Sequence, residues 1–77
     1  MTEPNATLDA KGLSCPMPVV KARLELDKLS SGQVLEVVAT DPGSVADFES
    51  WTKMSGHDLL ASDERDGVYV YLIKKGA

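Results

Sequence analysis

The sequence changes from strand to helix character at Gly12-Leu13-Ser14-Cys15-Pro16-Met17-Pro18, which contains the only cysteine of the 77 residues. Gly12 can adopt the tight turn that a short loop needs. Pro16 suits the first position of a helix, because its φ is already helical and its missing N–H has no partner there. Proline also biases the preceding residue toward extended backbone, as an N-cap requires. The stretch therefore predicts that Cys15 lies at or beside the N-cap of the first helix.

The two prolines also predict the surroundings of the sulfur. Pro18 falls at the third helical position, where its nitrogen again needs no partner. The N–H of Met17 is then the main free donor of the first turn, and we expect it to point toward Cys15. Because a helix N-terminus favours an anion, the pKa of Cys15 is expected somewhat below the value of about 8.5 for a free thiol.

Free cysteines are often small buried hydrophobes, which is the alternative interpretation of Cys15. Prolines flank the residue at a loop-to-helix junction, where burial is poor. The sequence therefore favours an exposed, reactive thiol.

Length and composition restrict the class of protein. Seventy-seven residues predict one domain, residues 1–77, with residues 1–6 as a flexible polar arm. One cysteine and one histidine exclude an internal disulfide and a Cys/His zinc site, so we expect no metal and no cofactor. We expect a cytoplasmic protein with no signal peptide and no membrane segment. The net charge of −4 disfavours direct, tight nucleic-acid binding.

Hydrophobic periodicity and turn residues predict the element order βαβαββ. Strands are expected at residues 7–9, 34–39, 58–62 and 68–74, with helices at 16–29 and between Ser44 and Gly56. Two right-handed crossovers place both helices on one face of a single sheet. The other face lacks a cover, and Tyr69 and Tyr71 are expected there, because tyrosine suits a half-wet surface.

Apolar residues at spacings of three and four mark the side of each helix that faces the sheet. They are Val19, Ala22, Leu26 and Leu29 in the first helix, and Val45, Phe48, Trp51 and Met54 in the second. Ser44 and Asp47 have the spacing of a capping box at the start of the second helix.

Three apolar residues of the first helix, Met17, Val20 and Leu24, lie off the core stripe. They have two equally supported interpretations: flank packing on a broad apolar face, or an apolar docking patch beside the sulfur. Met17 and Val20 are therefore candidate partner-binding residues.

The other polar residues do not suggest a second catalytic group. His57 is the only imidazole and is far from Cys15 in sequence, which disfavours a Cys–His nucleophilic pair. Asp63, Glu64 and Asp66 suit a solvated hairpin tip rather than an acid–base pair.

Cys15-Pro16-Met17-Pro18 resembles the Cys-Pro-x-Pro signature of the TusA (SirA-like, YhhP-like) sulfur-carrier family. The similarity extends over about residues 7–76 and includes Leu8-Asp9, Gly12, Asp41-Pro42 and Tyr71-Leu72-Ile73-Lys74. It implies an α/β two-layer sandwich, in which a mixed four-stranded sheet carries two helices on one face, as in the C-terminal domain of a bacterial translation initiation factor.

The same resemblance implies a sulfurtransferase in which Cys15 carries a persulfide, with Gly12, Pro16, Met17 and Pro18 in support. Its implied partners are a cysteine desulfurase or other sulfur donor and a downstream sulfur-relay protein. The implied destinations are 2-thiolation of the wobble uridine in tRNA and cytoplasmic oxidation of sulfane sulfur. The competing hypothesis is a non-catalytic interaction or regulatory module in which Cys15 is incidental. An RNA-binding domain is disfavoured by the acidic charge.

Overall fold

The computed structural model describes residues 3–76. Its elements are β1 (Ala6–Ala10), α1 (Met17–Asp27), β2 (Val34–Ala39), α2 (Ser44–Ser55), β3 (Asp58–Arg65) and β4 (Val68–Lys74). The strands form one sheet in the order β1-β2-β4-β3, in which β1 pairs with β2 in parallel and β4 is antiparallel to both of its neighbours. The predicted two-layer α/β sandwich, with a mixed sheet and both helices on one face, is confirmed. Among the described residues, no helix is long and apolar enough to cross a membrane.

The chain joins the sheet earlier than the sequence predicts. β1 begins at Ala6, and Asn5 pairs with the start of β2. The Asn5 N–H donates to the Val34 carbonyl at 2.7 Å, and the Val34 N–H donates to Asn5 Oδ1 at 2.8 Å. Residues 5 and 6 of the expected arm are thus tied to the sheet, and Met1 and Thr2 lie outside the described residues.

The helix-facing side of the sheet carries the tyrosines, so their expected place on the open face is wrong. Tyr71 and Ile73 are fully buried, and Tyr69 packs against the same core. The ring of Tyr71 lies 4.5 Å from that of Phe48 in α2. Its phenol oxygen is paired with a buried hydroxyl, so the large ring can enter the core without an unsatisfied polar group. Val70 and Leu72 occupy the other face.

The inward side of α1 matches the prediction. Ala22 and Leu26 are fully buried, and Val19 packs against the core at its edge. Leu29 also packs against the core, although α1 ends at Asp27, two residues before the expected end. Pro18 is also buried.

The inward side of α2 is made by Ser44, Phe48 and Thr52, at spacings of four. Val45 and Trp51 flank this row and are half-buried. Met54 is 87% exposed, so its expected place in the core is wrong. Thr52 takes an inward position because its hydroxyl donates to the Phe48 carbonyl at 2.8 Å within the helix.

Helix α2 ends at Gly56, as predicted, in the left-handed conformation with φ of 84°. Strand β3 continues to Arg65, three residues beyond its predicted end, because residues 63–65 pair with β4. The hairpin turn is Asp66-Gly67, with φ values of 54° and 82° that match the twist of the two strands.

Candidate functional site

Cys15 is exposed in the loop between β1 and α1, directly before the N-cap residue Pro16. Its predicted exposure and its position beside the N-cap are confirmed. The helix begins one residue later than expected, because Pro16 is the N-cap rather than the first helical residue, and Pro18 is the second. The Cys15–Pro16 peptide bond is cis.

The expected hydrogen bond from the first turn of α1 to the sulfur is absent from this part of the structure. The Met17 N–H donates instead to the Ser14 carbonyl at 2.8 Å. The Val20 N–H donates to the Pro16 carbonyl at 3.1 Å. Because Cys15 lies outside the helix, the Met17 N–H closes a tight turn over Ser14–Met17 and does not face the sulfur.

Two hydrogen bonds donated by backbone N–H groups hold the loop that presents Cys15. Gly12 has φ of 83°, a conformation that residues with a Cβ rarely adopt. Its N–H donates to Thr40 Oγ1 at 2.9 Å, which ties the loop to the end of β2. The Leu13 N–H donates to the Ala10 carbonyl at 3.2 Å and closes the turn after β1.

Asp41 holds the backbone of Cys15. The Cys15 N–H donates to Asp41 Oδ2 at 2.9 Å. Gly43 lies directly behind this pair, because a Cβ on it would be 3.3 Å from the same oxygen and 3.8 Å from Cys15 Cβ. In the sequence, Asp41 stands out only within the family resemblance and has no assigned role, and the close approach of the two loops brings both Asp41 and Gly43 to the site.

Asp47 contacts the sulfur itself. The Cys15 thiol donates a hydrogen bond to Asp47 Oδ2. The predicted capping box is therefore wrong: Gly43 is the N-cap of α2, and no side chain caps the helix. Ser44, the other member of the expected box, is bonded to Tyr71. Both polar side chains find tertiary partners, which replace the local ones.

The pKa of the Cys15 thiol is raised above its ordinary value, opposite to the sequence-based expectation. The main cause is the hydrogen bond from the thiol to Asp47, followed by desolvation and by the negative charges of Asp47 and Asp41. Within residues 3–76 the only ion pair joins Lys28 to Glu25, so no described cation lies within 4.0 Å of either aspartate. Both carboxylates favour the neutral thiol over the thiolate.

An apolar cleft of about 250 Å³ lies between the first turns of α1 and helix α2. It is lined by Pro16, Val19, Asp47, Ser50, Trp51 and Met54. Asp47 thus belongs both to the cleft and to the thiol contact.

The candidate docking residues on α1 are exposed. Met17 is 40% exposed and Val20 is 42% exposed, while Leu24, one turn further along, is 54% exposed. Their predicted position off the core stripe is confirmed.

The remaining candidates lie in other contacts. His57 Nδ1 accepts the N–H of Gly76 at 3.0 Å, and its ring lies 5.4 Å from that of Trp51. The acidic residues of the β3–β4 hairpin are exposed. The described residues contain no group of three or more His, Cys, Asp or Glu side chains that could hold a metal ion.

Comparisons with known proteins cover nearly the whole chain. A family model described as sulfurtransferase TusA matches residues 6–75. The chain is 49% identical over 75 residues to the sulfur carrier protein TusA of Allochromatium vinosum, covering 97% of this chain and 99% of that protein. It is 44% identical over 73 residues to the sulfur carrier protein TusA of Pseudomonas entomophila, covering 95% and 91%.

A solved structure also resembles the fold. The crystal structure of a SirA-like protein from Desulfitobacterium hafniense matches with a TM-score of 0.81 at 30% identity, covering 94% of this chain and 99% of that one. The range matched by the family model includes Cys15, Asp41 and Asp47.

Proposed function

The chain belongs to the sulfurtransferase TusA family of sulfur carriers, and we propose that it accepts sulfur as a persulfide on Cys15 and passes it to an acceptor protein. The observation that carries this proposal is the exposure of the only thiol, on a loop held between β1 and α1 within the matched range. A carrier must offer its sulfur to two different proteins in turn, which an exposed loop allows.

A single cysteine suits this role. The sulfur of Cys15 attacks the terminal sulfur of a donor persulfide, the donor's S–S bond breaks, and the donor leaves as a thiolate. An acceptor thiolate then attacks the terminal sulfur of the Cys15 persulfide, and Cys15 is released. A second thiol in the chain could attack the persulfide, form an internal disulfide and release the carried sulfur. This loss cannot occur here, because the chain has one cysteine.

Met17 and Val20 are proposed as docking residues. Cys15 is exposed, and the adjacent cleft is open to solvent, so a partner must supply the enclosure around the reacting sulfurs. Met17 and Val20 are apolar, partly exposed and close in sequence to the sulfur. The proposed partners are a cysteine desulfurase or another sulfur donor and a downstream relay protein with a reactive cysteine.

A lone thiol that must stay free suits the reducing conditions of the cytoplasm, which supports a cytoplasmic location for this relay. Two destinations follow from the family resemblance, tRNA 2-thiolation and cytoplasmic oxidation of sulfane sulfur. In either case the chain is proposed to deliver sulfur to a protein rather than to bind tRNA tightly, because its net charge is −4.

Intact-mass measurement tests the proposal. After incubation with a cysteine desulfurase and cysteine, we expect the wild-type protein to gain the mass of one sulfur atom, and a thiol reductant to remove it. The Cys15→Ser variant is the matched control and should gain nothing. A wild-type protein that stays unmodified under conditions where the desulfurase turns over would favour the non-catalytic interaction module.

A further inference from the structure

We propose that Asp47 is the proton acceptor and proton donor for the Cys15 sulfur during sulfur transfer. This role rests on the proposed function. It deepens that function by assigning the proton of the thiol, which must leave when the sulfur is loaded and return when it is delivered.

The contact between Asp47 and the sulfur carries the proposal. The thiol donates its hydrogen bond to Asp47 Oδ2, so the proton already lies between the two groups. Asp47 lies in the first turn of α2, and its carboxylate does not cap that helix. Asp41 is engaged with the Cys15 backbone N–H, which leaves the sulfur to Asp47. The two carboxylates therefore have separate tasks: Asp41 positions the loop, and Asp47 meets the reacting atom.

The surroundings suit proton exchange at this contact. Asp47 is half-buried and lines the cleft between α1 and α2. No described Lys, Arg or His nitrogen lies within 4.0 Å of its carboxylate. No described cation therefore competes with the Cys15 thiol for this carboxylate.

The proton balance closes over one cycle. On loading, Cys15–SH, the Asp47 carboxylate and the donor persulfide give the Cys15 persulfide, the Asp47 carboxylic acid and the donor thiolate. On delivery, the Asp47 acid and the Cys15 persulfide react with an acceptor thiolate. They give the acceptor persulfide, Cys15–SH and the Asp47 carboxylate. One S–S bond forms and one breaks in each step, so no external oxidant or reductant is needed.

The proposal makes a prediction that simple charge repulsion does not. Both carboxylates near the sulfur oppose the thiolate, so replacing Asp47 by a neutral residue should make the thiolate more abundant at neutral pH. If Asp47 were only a repelling charge, sulfur uptake would then become faster. If Asp47 takes the proton, uptake becomes slower, although the thiol is more acidic.

The experiment compares Asp47→Asn with wild type and with Asp41→Asn as a matched control. Glutathione persulfide is the sulfur donor, and uptake in a single turnover is followed by rapid alkylation and intact-mass measurement. The pH profile of iodoacetamide alkylation reports the acidity of Cys15 in each variant. For Asp47→Asn we expect an alkylation midpoint at lower pH together with uptake slower by about 10²-fold. For Asp41→Asn we expect a smaller loss of uptake rate than for Asp47→Asn.

Equal or faster uptake by a folded Asp47→Asn variant would overturn the role of Asp47 while the proposed function stood. An unchanged alkylation midpoint would show that the carboxylate does not contact the thiol in solution, and would also overturn it. A wild-type protein that takes up no sulfur would refute the proposed function itself. Circular dichroism checks the fold, and Asp47→Ser provides a second variant if Asp47→Asn does not fold.

Discussion

The hydroxyl of Ser44 lies 2.6 Å from the phenol oxygen of Tyr71, in the interior between α2 and the sheet. Ser44 is 1% exposed and Tyr71 is fully buried. Asp47 follows Ser44 by three residues, almost one turn of the same helix. The buried pair therefore fixes the first turn of α2 against β4 and, with it, the position of the carboxylate that meets Cys15.

Tyr71→Phe should destabilise the protein by about 1–3 kcal/mol, because the Ser44 hydroxyl would be left buried without a partner. Urea unfolding followed by circular dichroism measures the change. Tyr69→Phe is the matched control, since among the described residues no hydrogen bond involves its hydroxyl. If Ser44→Ala and Tyr71→Phe show additive losses in the double variant, the two hydroxyls are not coupled.

The protein should lose stability at alkaline pH through Tyr71. Burial raises the pKa of Tyr71 more than its hydrogen bond with Ser44 lowers it, and the charges of Asp41 and Glu49 add to the increase. The unfolded chain then releases the phenolic proton first. The free energy of unfolding of the protein is unaffected by Tyr71 well below pH ~10 and falls as the pH rises above that value. Unfolding measured between neutral and strongly alkaline pH should show an extra decline that Tyr71→Phe lacks.

This comparison is made in a Cys15→Ser background, because the raised pKa of Cys15 adds a decline of the same sign. Parallel curves for the tyrosine and phenylalanine proteins would contradict the prediction.

Pro18→Ala should lower the free energy of unfolding by about 2 kcal/mol. The ring of Pro18, in the first turn of α1, is fully buried, so the change removes apolar surface from the core and also makes the unfolded chain more flexible. Pro42→Ala is the control. Pro42 is exposed in the loop before α2, so replacing it makes the unfolded chain more flexible but removes no buried apolar surface. Denaturant midpoints of the two variants measure the difference. Equal losses would show that the Pro18 ring contributes no packing energy.

Met17→Asp and Val20→Asp should each weaken binding to a sulfur donor protein roughly a hundredfold, if these side chains are desolvated on docking. Both are partly exposed, so neither change should unfold the chain. Isothermal titration against a cysteine desulfurase measures the affinity. Leu24→Asp, one turn further from the sulfur on the same helix, is the control and should bind like wild type. Wild-type affinity in the folded Met17 and Val20 variants would assign docking to another surface.

The elements with strong periodic patterns could be predicted from the sequence. Strands β2 and β4 have the expected bounds, because runs of β-branched and aromatic residues between turn signals leave few alternatives. The stop at Gly56 follows from its left-handed backbone. The position of Cys15 beside a helix start follows from the two prolines.

The residues around the sulfur could not be predicted in the same way. Asp47 has the spacing of a local cap, and its contact with Cys15 joins residues 32 positions apart. Alternation along β4 shows that Tyr69 and Tyr71 share a face but not which face the helices cover. The expected direction of the Cys15 pKa shift is wrong for the same reason, since the charges that raise the pKa come from residues distant in sequence.

The cleft between α1 and α2 contains a residue whose fluorescence can report partner binding. Trp51 is the only tryptophan of the chain, lines this cleft and lies edge-on to Phe48, with ring centroids 6.2 Å apart. Its indole is half-buried, so a partner that covers the cleft would change the polarity around it and shift its emission. A partner without tryptophan could thus be followed by intrinsic fluorescence as it docks, without a label on the one thiol that must stay free to carry sulfur.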